Sequence, residues 1–181
     1  MFIFLIPGNS FNLSACISLS KWPKPPAKLP PVNIHELRAD AIADIRTFND
    51  ELSIWSIPSK SDEDIDEAIL ALATSIKQNN IDKIDVVVFS DGDISAKGLQ
   101  LKDADGETAV SDLVGTHQNI VGLTYDSLTK VMELISDITI SECHVRRNQR
   151  YVEKLIKNNL KRIDVGAFVY DDMKTKIMSL Q

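Results

Sequence analysis

Cysteine is nearly absent from this 181-residue chain, which carries Cys16 and Cys143 alone. Without a CxxC pair or a set of four or more, it encodes neither a disulfide scaffold nor a redox dithiol, and the expected compartment is the reducing cytoplasm. Long apolar runs are also missing. Met1-Phe2-Ile3-Phe4-Leu5-Ile6 is cut by Pro7-Gly8, far short of the roughly 20 residues a membrane span needs. It lacks a basic flank, so neither a signal peptide nor a membrane partner is expected, and the sequon Asn12-Leu13-Ser14 carries no glycan. The three histidines, His35, His117 and His144, fall at no zinc-binding spacing, and no Gly-x-Ser-x-Gly nucleophile elbow occurs. A basic excess is lacking too: 20 Lys and Arg face 26 Asp and Glu, a net charge of −6. A polyanion is repelled by such a surface, so broad nucleic-acid binding is not expected.

What is present is ordinary globular composition, 44% hydrophobic and 25% charged. A chain of this length forms one domain and can bury about 70% of its unfolded surface. Its charge is uneven. Residues 40–126 hold 18 acids against 6 bases, whereas residues 140–163 hold seven bases against Glu142 and Glu153.

Residues 2–6 are uniformly apolar, and residues 11–20 alternate, with Phe11, Leu13, Ala15, Ile17 and Leu19 on one side. With Pro7-Gly8-Asn9-Ser10 between them, the pattern predicts an N-terminal β-hairpin arm over residues 1–20. Five prolines between Trp22 and Pro31 predict a stiff, extended spacer over residues 21–32. The main body follows over 33–181. Asn33 and Glu36 cap a helix to about Ala43. A second hairpin spans 44–57, turning near Phe48-Asn49-Asp50, with Leu52 and Ile54 on one face and Trp55 and Ile57 on the other.

Ser61 caps the strongest helix, whose Ile65, Ala68, Ile69, Leu72, Ala73 and Ile76 recur at helical spacing. Ile84–Phe89 is apolar enough for a central strand. A third hairpin is expected over 97–111, turning at Ala104-Asp105-Gly106. A strand at 119–123, a helix from Thr124 to about Asp137, a returning strand at 138–140, and helices over 148–163 and 170–180 complete the reading. Strand–helix–strand order in this half predicts a parallel pair. The fold class is therefore mixed α/β (α+β): a single-domain mixed β-sheet covered by helices.

Three clusters are candidates for chemistry. Asp91 and Asp93 follow the central strand in Val86-Val87-Val88-Phe89-Ser90-Asp91-Gly92-Asp93. Ligands bind at that edge of open sheets, and paired carboxylates suit Mg²⁺; Asp-Gly-Asp is, however, ordinary turn chemistry, and that reading comes first. The segment resembles the strand-end apolar run and Ser/Thr-Asp-Gly of von Willebrand factor A domains over about eight residues, but their Asp-x-Ser-x-Ser motif does not occur earlier here. The second cluster is acidic: Asp62, Glu63, Asp64, Asp66 and Glu67. Helix capping explains part of it, and it can also face a basic partner. The third is a basic stripe of Arg147, Arg150, Lys154, Lys157 and Lys161 at spacings of three and four; it reads first as a solvated outer face, and it also suits phosphate, an acidic surface, or the acidic part of this chain or a second copy.

These patterns point first to a non-enzymatic interaction protein, an immunity- or antitoxin-type inhibitor or an adaptor. Its expected partner is a basic protein met through Asp62, Glu63, Asp66 and the stripe, and a homodimer is compatible with the same charges. No cofactor is expected on this reading. The alternative is a metal-dependent phosphoryl-transfer or nucleotide-processing enzyme using Asp91, Asp93 and Mg²⁺.

Overall fold

A computed structural model describes residues 2–7, 41, 45, 47–140 and 144–180. The predicted strand at 11–20, the proline spacer at 21–32, most of the helix at 33–43 and both cysteines lie outside them. The described elements are strands β1 (Phe2–Pro7), β2 (Leu52–Ser56), β3 (Ile84–Phe89), β4 (Gln100–Asp103), β5 (His117–Val121) and β6 (His144–Arg147). The helices are α1 (Asp62–Ala73), α2 (Asp91–Ala96), α3 (Tyr125–Ile140), α4 (Gln149–Asn158) and α5 (Asp171–Ser179).

Every residue of β3 is buried, as its apolar run requires of a strand covered on both faces. Ile84, Val86 and Val88 join Trp55 and Ile57 under α1, α4 and α5, represented by Ile69, Val152, Ile156, Met173 and Ile177. On the opposite face, Val87 and Phe89 pack with Leu52, Ile54 and Ile120 under Ile94 of α2 and Val131 and Ile135 of α3. The result is a sheet between two helical layers, a mixed α+β fold with helices over both faces. Among the described residues no helix is long and apolar enough to cross a membrane.

The strand order is β4-β5-β2-β1-β3-β6, and every pair is antiparallel. This corrects the expected parallel pair. The directions explain how the order misleads: β2 and β3 run the same way, as do β3 and β4, and β5 and β6. Each strand–helix–strand unit does return the chain in its original direction, but antiparallel strands fill the space between. β1 is one of those fillers. Rather than forming an outlying arm, it lies between β2 and β3, with Phe2 opposite Phe89 and Pro7 opposite Ile84. Its uniformly apolar run suits that central place as it does in β3.

Three local expectations also change. β4 pairs with β5 rather than with residues 107–111, so the third hairpin is replaced by a long connection containing a 3₁₀ turn at Ser111–Thr116. Residues 138–140 continue α3 and form no strand. The helix over 148–163 ends at Asn158, followed by a 3₁₀ turn at Leu160–Arg162. The turn at Asn49-Asp50 forms as expected: both residues have positive φ, 52° and 58°, and Phe48 and Glu51 exchange two 3.0 Å backbone hydrogen bonds across it. This is the geometry favoured by tight hairpins.

Candidate functional site

Ser90 follows β3 in an extended conformation, and its hydroxyl accepts from the Asp93 N–H at 3.2 Å. The Asp93 carboxylate reaches back: Oδ2 accepts from the Ser90 N–H and from its hydroxyl, both at 2.7 Å. This reciprocal capping box starts α2, so Asp91-Gly92-Asp93 opens a helix and is neither a free turn nor an open pair of ligands. The Ser90 backbone and side-chain hydrogen bonds hold the Asp93 carboxyl below its ordinary pKa. Asp91 is exposed in the first turn. Among the described residues no group of three or more His, Cys, Asp or Glu side chains could hold a metal ion.

Ser61 caps α1 by accepting from the Asp64 N–H. That start places Asp62 and Asp66 one turn apart, facing the end of β6. Arg147 is the last residue of β6, one position before the α4 cap Asn148, and so does not belong to the helical stripe. Its Nη2 donates to Asp62 Oδ1 at 2.5 Å and its Nε to Asp66 Oδ1 at 3.0 Å. The guanidinium lies 4.8 Å from the centroid of the Tyr151 ring, and the Tyr151 hydroxyl donates to Asp66. Burial opposes the Arg147 charge, but the hydrogen bonds to Asp62 and Asp66 outweigh it and raise its pKa. The hydrogen bond to Asp66 also raises that of Tyr151.

At the next residue of α1, Glu67 receives both terminal nitrogens of Arg162 at 2.8 and 2.7 Å. Arg162 also donates to Asp112 at 2.6 Å, and that bond holds the Asp112 carboxyl below its ordinary range. Bidentate pairing of this kind uses the planar fork that lysine lacks. A third arginine, Arg146, pairs with Asp85 on β3 through Nε at 2.5 Å and Nη2 at 2.9 Å. Asp85 is 4% exposed, and a carboxylate buried so deeply needs such a partner.

The seven bases of residues 140–163 are therefore sorted. Arg146, Arg147 and Arg162 are matched within the chain. Arg150, Lys154, Lys157 and Lys161 are exposed, and none forms an ion pair with a described residue. At about 100° per residue, Arg150, Lys154 and Lys157 share one side of α4, opposite the buried Val152 and Ile156, and Lys161 follows in the 3₁₀ turn. Of the acidic run, Asp62, Asp66 and Glu67 are matched, Asp64 accepts from Ser59 at 2.5 Å, and Glu63 is exposed.

The Asp85–Arg146 and Glu67–Arg162 pairs and the Tyr151 contact escape the sequence reading. Asp85 alone gave a signal, as the one charge within an apolar run. His117 opens β5. It is 9% exposed, edge-on to Trp55 with ring centroids 5.0 Å apart, and its Nδ1 has no hydrogen-bond partner among the described residues. Burial lowers its pKa, against the opposing pull of the Ala104 backbone and Glu107.

Comparison with family models, curated proteins and solved structures gives no match for this chain.

Proposed function

We propose that this chain is a non-enzymatic interaction protein, an inhibitor or adaptor, that docks an acidic partner protein through the outward side of α4. The sorting of cations supports it: four bases stand together at the surface while the neighbouring arginines are matched internally. Read alone, the acidic run 62–67 favours a basic partner. With Asp62, Asp66 and Glu67 held by arginines of the same chain, the complement moves to a carboxylate-bearing surface. Exposed ion pairs contribute roughly 0.2–1 kcal/mol each, so several must act together, and their larger effect is on encounter rate and register. A cytoplasmic site of action belongs to the same proposal, on the scarcity of cysteine. The metal-dependent alternative has no observation in its favour, since the Asp93 carboxylate is engaged by both donors of Ser90.

Lysine-reactive cross-linking in the native host, read by mass spectrometry, should join Lys154, Lys157 or Lys161 to one acidic protein. Replacing Lys154→Glu and Lys157→Glu together should release that protein without lowering the melting temperature. Cross-links confined to other faces would contradict the reading, as would Mg²⁺-dependent phosphate-ester turnover abolished by Asp91→Asn.

A further inference from the structure

We infer that the element received by the outward side of α4 is an acidic helix of the partner, laid alongside α4; this rests on the docking reading above and names what is docked. The molecule already contains one contact of that kind. α1 lies beside α4, and its Asp62 and Asp66, one turn apart, together with Glu67, meet Arg147, Tyr151 and Arg162 from the end of β6, from α4 and from the turn after it. A helix carrying carboxylates is thus matched by cations just before and just after α4, with Tyr151 of α4 between them.

The outward row has a helical spacing of its own. Arg150, Lys154 and Lys157 are separated by four and three residues, and Lys161 follows four later. With a rise of about 1.5 Å per residue, the steps along α4 are about 6 and 4.5 Å. A partner helix with carboxylates at i, i+4 and i+7 presents the same unequal steps. In an extended strand, same-face side chains recur evenly every ~6.6–6.8 Å and fall out of register after the first contact. Three of the four cations are lysines, compact charges that meet single carboxylates and lack the planar fork suited to bidentate phosphate contacts. The net charge of −6 further disfavours a nucleic-acid strand, whose own charge is spread over every residue. A helix with one acidic side brings fewer charges to the same row.

The test uses the full chain and three fluorescent probes. The first is a short helical peptide with glutamates at i, i+4, i+7 and i+11. The second is a peptide of the same composition with the glutamates distributed around the helix. The third is a single-stranded oligonucleotide of equal charge. At low salt the first should bind about tenfold more tightly than the second, the sum of a few exposed ion pairs. High salt should abolish the difference, as should Lys154→Glu with Lys157→Glu. The milder Lys154→Gln with Lys157→Gln guards against misfolding. Equal binding of the two peptides, or binding of neither, overturns the acidic-helix inference while leaving the docking surface to be judged by cross-linking. Ladder-peptide binding that survives both double variants overturns the inference and the docking reading together. Tightest binding of the oligonucleotide overturns the inference and the choice of an acidic protein as partner.

Discussion

Replacing Gly106→Ala should destabilise the protein although the backbone there suits alanine. Gly106 lies in the connection between β4 and β5, and its φ is outside the left-handed region. On backbone grounds alone, alanine would stabilise by about 0.4–1 kcal/mol, because it restricts the unfolded chain. The added methyl has no room. Its Cβ would fall 2.4 Å from Cη2 and 2.9 Å from Cζ3 of Trp55, and 3.0 Å from Cβ of His117. Trp55 is 4% exposed and packed edge-on against His117, so the indole cannot swing clear and the loop must lift. Overpacking of this kind costs ~1–3 kcal/mol. Set against the entropic gain, the net loss should be about 1–2 kcal/mol, or roughly 2–8 °C in melting temperature for a chain of this size. Urea and thermal unfolding followed by circular dichroism measure it. Trp55→Phe removes the two closest ring atoms, so in that background the cost of Gly106→Ala should shrink to what the remaining 3.0 Å approach to His117 Cβ exacts. Gly115→Ala, with nothing within 4 Å of the new methyl, is the control. Equal stability of Gly106→Ala and Gly115→Ala would refute the packing argument.

Other perturbations test the charges and caps. Arg146→Met leaves the buried Asp85 carboxylate without its partner and should cost roughly 1–3 kcal/mol in a urea titration. Ser90→Ala removes the α2 cap, costing about 0.5–2 kcal/mol, and should let the Asp93 carboxyl titrate closer to its ordinary value, as followed by carbon-detected NMR. Because burial lowers the folded pKa of His117, the unfolded chain takes up that proton first. Stability should therefore be full above about pH 6.5 and decline as pH falls through that value toward the lower folded pKa; His117→Asn should flatten the slope of the urea midpoint between pH 7 and pH 5, where most carboxylates stay ionised. Lys154→Glu with Lys157→Glu should leave stability within about 0.5 kcal/mol, as expected for exposed positions outside any network.

Hydrophobic period reports which face a residue takes, not which strand lies beside it. This is why β3, α1 and the two faces of β2 are legible in the sequence while the sheet order is not. The uniform apolarity of residues 2–6 matches that of β3 and carries the same message about a central place, but the following Pro7-Gly8 favours a hairpin arm. At Ser90 the spacing Ser-x-x-Asp is a capping signature of the same form as Asn33 and Glu36; the Asp-Gly dipeptide draws attention to a turn instead. Arg147 fits the helical spacing of the basic stripe, yet Asn148 is itself a helix cap and leaves Arg147 one residue outside. Pairings such as Arg147 with Asp62 or Arg162 with Glu67 join positions 85 and 95 residues apart, and only the folded sheet brings β6 and the end of α4 against α1.

Arginine footprinting with phenylglyoxal, read by mass spectrometry on the native chain, tests the sorting of charges most directly. Arg150 is exposed, whereas the side chains of Arg147 and Arg162 are 16% and 32% exposed and held by carboxylates. The account predicts rapid modification of Arg150, with Arg147 and Arg162 reacting only as the protein unfolds. Modification of all three at the same rate would contradict it.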